Sequence, residues 1–188
     1  MRYVGQFPRL KYLDMERGPM CNDDGLRHLS RLLELKYVTF ERGIVCGPGF
    51  QFLTNLTLEF VNVNECYEFN DEGMLYLGRI LTALSAELKD TKITDTGLLH
   101  ISGLPELREL AIPGCSVTNR GVLHICRLPK LWGLNLAGCE KLTNVALDHL
   151  HRLPMVSDLS LVVSTRQRGI TDEGIARLQA LTRFPIYS

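Results

Sequence analysis

Gly25, Gly49, Gly73, Gly97 and Gly121 stand 24 residues apart four times in succession, and each is followed by an apolar pair three residues apart. This period constrains the fold more than any other feature. A unit of this length cannot bury a core alone, so successive units must stack into one elongated array. Function is then sought on a surface that many units build together.

The segment from Pro105 to Leu128 gives the clearest unit. Leu107, Leu110 and Ile112 are apolar with Glu109 and Ala111 between them, the alternation of a short strand. Val122, Ile125 and Leu128 then recur at helical spacing, and Thr118 or Asn119 can cap the start of that helix. Strand triplets recur at Leu10/Leu13/Met15, Leu35/Val38/Phe40, Leu58/Val61/Val63, Ala83/Ala86/Leu88, Leu131/Leu134/Leu136 and Val156/Leu159/Leu161, which makes seven strands. Helix stripes accompany them, including Phe50/Leu53/Leu56 and Ile175/Leu178/Leu181. Strands joined by crossover helices run parallel, so one curved sheet with helices outside is predicted. The recurrent glycine, replaced by Ala146 in one unit, lies in the first helical turn, where a missing side chain lets neighbouring units approach closely. Single glycines at this interval lack the clustering that wraps a phosphate.

These patterns resemble the leucine-rich repeat family. The segments ITDTGLLHISGLPELREL (93–110), LWGLNLAGCEKLTNVAL (131–147) and ITDEGIARL (170–178) are similar to its cysteine-containing subtype, found in repeat domains of F-box adaptors and in bacterial and protozoan proteins. Thr91 and Gly43 stand where that subtype carries cysteine. The resemblance covers essentially the whole chain and implies an α/β leucine-rich repeat solenoid of about seven repeats, residues 1–188 forming a single domain. Met1, Val4 and Phe7 align with Leu98, Ile101 and Leu104, so residues 1–9 are expected to be a partial N-terminal repeat or cap, of a full-length chain or of a longer array. No strand pattern is visible after Leu181, and residues 182–188 are expected to form a C-terminal cap.

Six cysteines, at 21, 46, 66, 115, 126 and 139, show no metal-ligand spacing. Cys66, Cys115 and Cys139 share one position just after the strand and are read as buried structural thiols. His28, His100, His124 and His149 share a helix position, but parallel helices about 8–10 Å apart hold neighbouring imidazoles too far apart for one metal. No metal and no cofactor are expected. Twenty-one basic residues balance 21 acidic ones, so no global field draws the chain to nucleic acid. No long apolar run and no export signal occur, and neither membrane binding nor a location outside the cytoplasm is expected.

Alternation then fixes which strand residues face away from the core. The first column of this concave face reads Tyr12, Tyr37, Phe60, Ser85, Glu109, Gly133, Asp158; the second, Asp14, Thr39, Asn62, Glu87, Ala111, Asn135, Ser160; the third, Glu16, Glu41, Asn64, Lys89, Pro113, Ala137, Val162. Six carboxylates face one cation, Lys89, beside an aromatic row. Aromatic anchors beside charge commonly recognise partners. The candidate partner-binding residues are Tyr12, Asp14, Glu16, Tyr37, Thr39, Glu41, Phe60, Asn62, Glu87, Glu109 and Asp158, with a basic, partly apolar peptide or helix as ligand. A lengthened interval before Gly174 places an insertion at 162–169, carrying Arg166 and Arg168, in a surface loop. No nucleophile or acid–base pair has a recognisable setting, so no catalytic residue and no small-molecule substrate are expected. The expected function is a non-enzymatic interaction module or scaffold. The alternative is a structural subunit, or an adaptor-like repeat domain, engaged through its ends or helices.

Overall fold

The alternating triplets form the strands that their period predicts. The computed structural model describes residues 1–16, 22–153, 157–161, 169–182 and 186–187. Cys21, Val156, Val162, Arg166 and Arg168 lie outside the described residues. Strands β1 (Tyr12–Asp14), β2 (Tyr37–Thr39), β3 (Phe60–Asn62), β4 (Ser85–Glu87), β5 (Glu109–Ala111), β6 (Gly133–Asn135), β7 (Asp158–Ser160) and β8 (Ile186–Tyr187) make one parallel sheet in sequential order. The register places Tyr12 beside Tyr37, Tyr37 beside Phe60, and so on to Asp158, reproducing the first predicted column residue for residue. β8 corrects the expectation that no strand follows Leu181: Ile186 pairs with Leu159 and Tyr187 with Ser160. Two residues carry too little alternation to be recognised, and the exposed edge of β7 supplies the hydrogen bonds that recruit them.

Helices α1 (Asp23–Leu26), α2 (Asp71–Leu77), α3 (Asp95–Ile101), α4 (Asn119–Ile125), α5 (Asn144–Leu150) and α6 (Asp172–Leu181) follow the strands. Each begins at an Asn or Thr whose side chain accepts from a first-turn amide; Thr118, not Asn119, caps α4 by accepting from the amide of Arg120. The helix expected around Phe50, Leu53 and Leu56 is a 3-10 turn over Pro48–Leu53. Gly47, Pro48 and Gly49 weaken α-helix formation there, and Gly47 offers no capping side chain. Bulk compensates for the narrower turn: the Phe50 ring packs edge-on against Phe40, with centroids 6.4 Å apart, and against Phe69 at 5.0 Å.

The leucine triplets and helix stripes meet in a continuous core that runs the length of the array. Leu10, Leu13 and Met15 are only partly buried because β1 forms the edge of the sheet. Gly49, Gly97 and Gly121 of the ladder sit against the preceding repeat, whereas Gly73 sits against Phe69 of its own. A Cβ on Gly49 would stand 2.6 Å from the Asp23 Cα, and one on Gly121 would reach the Asp95 carboxylate and lie 2.9 Å from Leu98 Cδ1.

Two ladders of polar contacts tie repeat to repeat. Asp71 accepts from the amide of Thr94 at 2.8 Å and from its hydroxyl at 2.6 Å, while Asn119 accepts from the amide of Thr143 at 3.0 Å and donates its Nδ2 to the Thr143 hydroxyl at 2.8 Å. The buried thiols form the second ladder: Cys66 Sγ donates to the Phe40 carbonyl at 3.0 Å, and Cys115 and Cys139 donate to Leu88 and Ile112 at 3.2 Å. Their position suits a tight bend, and each thiol adds a second hydrogen bond to a strand-end carbonyl that already accepts from its own repeat. Thr91 departs from this ladder: its hydroxyl donates within its own repeat, to the Leu88 carbonyl at 2.9 Å, and lies 3.4 Å from Cys115 Sγ.

Candidate functional site

The sheet buries one face and leaves the concave face open. On the first three strands the aromatic row forms a continuous stack: the Tyr12 and Tyr37 rings lie 4.5 Å apart and nearly parallel at 8°, and Phe60 follows at 6.4 Å from Tyr37. Tyr12 is 67% exposed. The Tyr37 hydroxyl donates to Glu59 Oε2 at 3.3 Å, and the negative charge of Glu59 raises the Tyr37 pKa. Glu59 lies outside the three predicted columns, and it is also held by Lys36 at 3.1 Å.

The acidic residues divide into engaged and open groups. Asp14 and Glu16 are exposed beside the tyrosines, and Thr39 and Glu41 are half-buried, Glu41 lying 3.7 Å from Arg42. Lys89, the cation of the columns, is held 3.1 Å from Glu65, which Arg42 also binds at 2.7 Å. Hydrogen bonds from both bases keep the Glu65 carboxyl at a pKa of about 2. This network hangs on left-handed bends that follow β2, β3 and β4, where Arg42 and Glu65 both have φ 57° and Asp90 has φ 53°. Gly114 and Gly138 occupy the corresponding bends with positive φ.

Asn62 departs from its predicted role as a displayed contact. It is 8% exposed, and its Oδ1 turns back to accept from the amide of Asn64 at 2.8 Å. Asn135 does the same for Ala137 at 3.0 Å. Asparagine readily bonds the backbone two residues on, and at the end of a three-residue strand that local bond outcompetes display.

Over β4–β7 the concave face carries a hollow of about 230 Å³ lined by Glu87, Glu109, Trp132, Gly133, Asn135 and Asp158 among others. Glu87 accepts from Asn64 Nδ2 at 2.9 Å and Glu109 from Ser85 Oγ at 3.3 Å. Among the described residues, none of Glu87, Glu109 and Asp158 is paired with a basic side chain. Column reasoning missed Trp132, which precedes Gly133 and is 38% exposed. Its signal was available, since it is the sole tryptophan of the chain. Larger hollows lie off this face; one of about 490 Å³, bordered by Arg2, Arg27, His28 and Arg31, makes the first turns locally basic.

The histidine column sits on the helices. Among the described residues no three His, Cys, Asp or Glu side chains converge as a metal site. His124 is 9% exposed, its Nδ1 has no hydrogen-bond partner among the described residues, and burial, followed by Arg127 and Arg120, lowers its pKa. No described helix is long and apolar enough to cross a membrane.

No protein-family model matches the chain, and no curated protein matches it in sequence. Likeness emerges in structure. An internalin of Listeria monocytogenes superposes on 100% of the chain with a TM-score of 0.71 at 17% identity, and 56% of that protein is covered. The chain thus spans little more than half of the internalin's length. The leucine-rich repeat domain of the type III effector XopL is covered to 70% and matches 98% of the chain, with a TM-score of 0.63 at 17% identity. Yeast Rad7, solved in complex with Elc1, matches 96% of the chain over 50% of its own, with a TM-score of 0.65 and 17% identity.

Proposed function

Because the chain is a leucine-rich repeat solenoid of about seven repeats, we propose that it is a non-enzymatic protein-interaction module that holds a basic, partly apolar segment of a partner protein against its concave face. One observation carries this reading: the stacked row Tyr12, Tyr37 and Phe60 lies on the open face of the sheet beside Asp14 and Glu16, which no basic side chain among the described residues pairs. Stacked aromatics offer a rigid apolar platform at low entropic cost, and the acids steer a basic segment onto it. The solenoid makes the face continuous, which favours an extended ligand over a small molecule. Neither nucleic acid nor membrane fits a concave surface of this sign.

An acetylated, amidated peptide of alternating arginine and leucine provides the test. Tyr37→Ala and Glu41→Lys should each weaken its binding by about fivefold or more, the scale of losing an interface anchor worth more than about 1 kcal/mol. Unchanged affinity in both variants would remove the reading.

A second reading rests on the helices. Leu99 and Leu123 occupy equivalent positions on α3 and α4 and are 44% and 40% exposed, an apolar pair outside the concave face. Engagement of a larger assembly through this side, as a structural or adaptor-like subunit, accords with the likeness to Rad7, whose structure was solved with Elc1. Retained peptide binding after Leu99→Glu and Leu123→Glu separates the two.

A further inference from the structure

The hollow over β4–β7 has a shape as well as a charge. In the first concave column Glu109 and Asp158 flank Gly133 in the strand register. Strands repeat about every 4.8 Å, so two carboxylate-bearing positions stand about 10 Å apart with no side chain between them. In the second column Ala111 separates Glu87 from Asn135 and deepens the same dent. Trp132 supplies one wall. Arg108, whose carbonyl accepts from the Trp132 amide at 2.9 Å, does not line it, and neither does any other basic side chain among the described residues.

At about 230 Å³ the notch holds the equivalent of roughly eight waters, below the range of about 300–1,000 Å³ usual for small-molecule pockets. It is the scale of one long side chain. An indole wall beside open carboxylates suits a cation that can stack and donate hydrogen bonds at once, which a planar guanidinium does better than an ammonium. We propose that this notch receives an arginine side chain of the partner and fixes the register of its bound segment along the concave face. The inference rests on the concave-face reading and makes it specific.

The sole tryptophan of the chain gives the notch its own optical signal. The arginine–leucine peptide is titrated against the protein beside a counterpart in which every arginine is citrulline, isosteric but uncharged, with Trp132 emission and calorimetry followed together. A saturable Trp132 response to the arginine peptide is expected, about tenfold weaker for citrulline and about tenfold weaker in the Glu109→Gln, Asp158→Asn double variant. Equal responses to the two peptides, or full affinity in the double variant, overturn the proposal. If Tyr37→Ala or Glu41→Lys abolishes calorimetric binding while Trp132 stays silent and the double variant binds normally, the notch is wrong and the concave face stands. No heat with either peptide removes both.

Discussion

Asp95 and Thr118 sit 23 residues apart in sequence, and the aspartate binds the threonine twice: Oδ1 accepts from its amide at 2.8 Å and Oδ2 from its hydroxyl at 2.6 Å. Thr118 is at the same time the cap of α4. One carboxylate therefore fixes the start of the next repeat's helix, and the contact recurs from Asp71 to Thr94 and, with asparagine, from Asn119 to Thr143.

Removal of that carboxylate should therefore weaken stacking as well as capping. Asp95→Ala is expected to cost about 1.5–3 kcal/mol, the usual worth of hydrogen bonds to a charged group. Asp95→Asn should retain most of the stability, since Asn119 and Asn144 serve the same place. Urea unfolding of the two variants checks both expectations.

Two glycines provide a matched contrast. A Cβ at Gly121 would crowd the Asp95 carboxylate and Leu98, whereas one at Gly103 meets nothing within 4 Å. Gly121→Ala should cost about 1–3 kcal/mol by overpacking. Gly103→Ala should be neutral or stabilise by up to about 1 kcal/mol through the unfolded chain. Equal thermal shifts for the two would contradict the close-approach role of the glycine ladder.

The thiols should separate by burial. Burial raises the Cys66 pKa to about 11 and that of Cys139 to about 12, and raises Cys115 as well. Thiolate is the reactive form. Iodoacetamide at pH 8 should label the half-buried Cys46 before Cys66, Cys115 or Cys139, and mass spectrometry of partially alkylated native protein should show that order.

His124 should make the array sensitive to mild acid. Its folded pKa lies below that of the unfolded chain, so below about pH 6.5 the unfolded state binds more protons and stability falls as pH drops toward the folded value. Above that window the contribution is complete. A His124→Leu variant should show a flatter loss of stability between pH 7 and 5 in parallel urea titrations; an unchanged slope would assign the effect to other groups.

The sequence by itself determined the repeat, the register of seven strands and the first two concave columns, because a 24-residue period and a strand period of two fix which side chains share a face. It also located the buried thiols and the tyrosine row. Tertiary structure alone decided what those positions do. Asn62 folds inward onto the Asn64 amide, Lys89 is engaged by Glu65, and Trp132 joins a notch that exists because Gly133 and Ala111 leave space beside larger neighbours. The Asp95–Thr118 ladder was half legible, as a Thr followed by Asp or Asn ahead of each small residue from Gly97 to Gly174, but its meaning was not. Periodicity specifies direction within one repeat. Pairing, crowding and cavity depth arise between repeats, from side chains some 23 or 24 positions apart whose rotamers are chosen only when the coils stack.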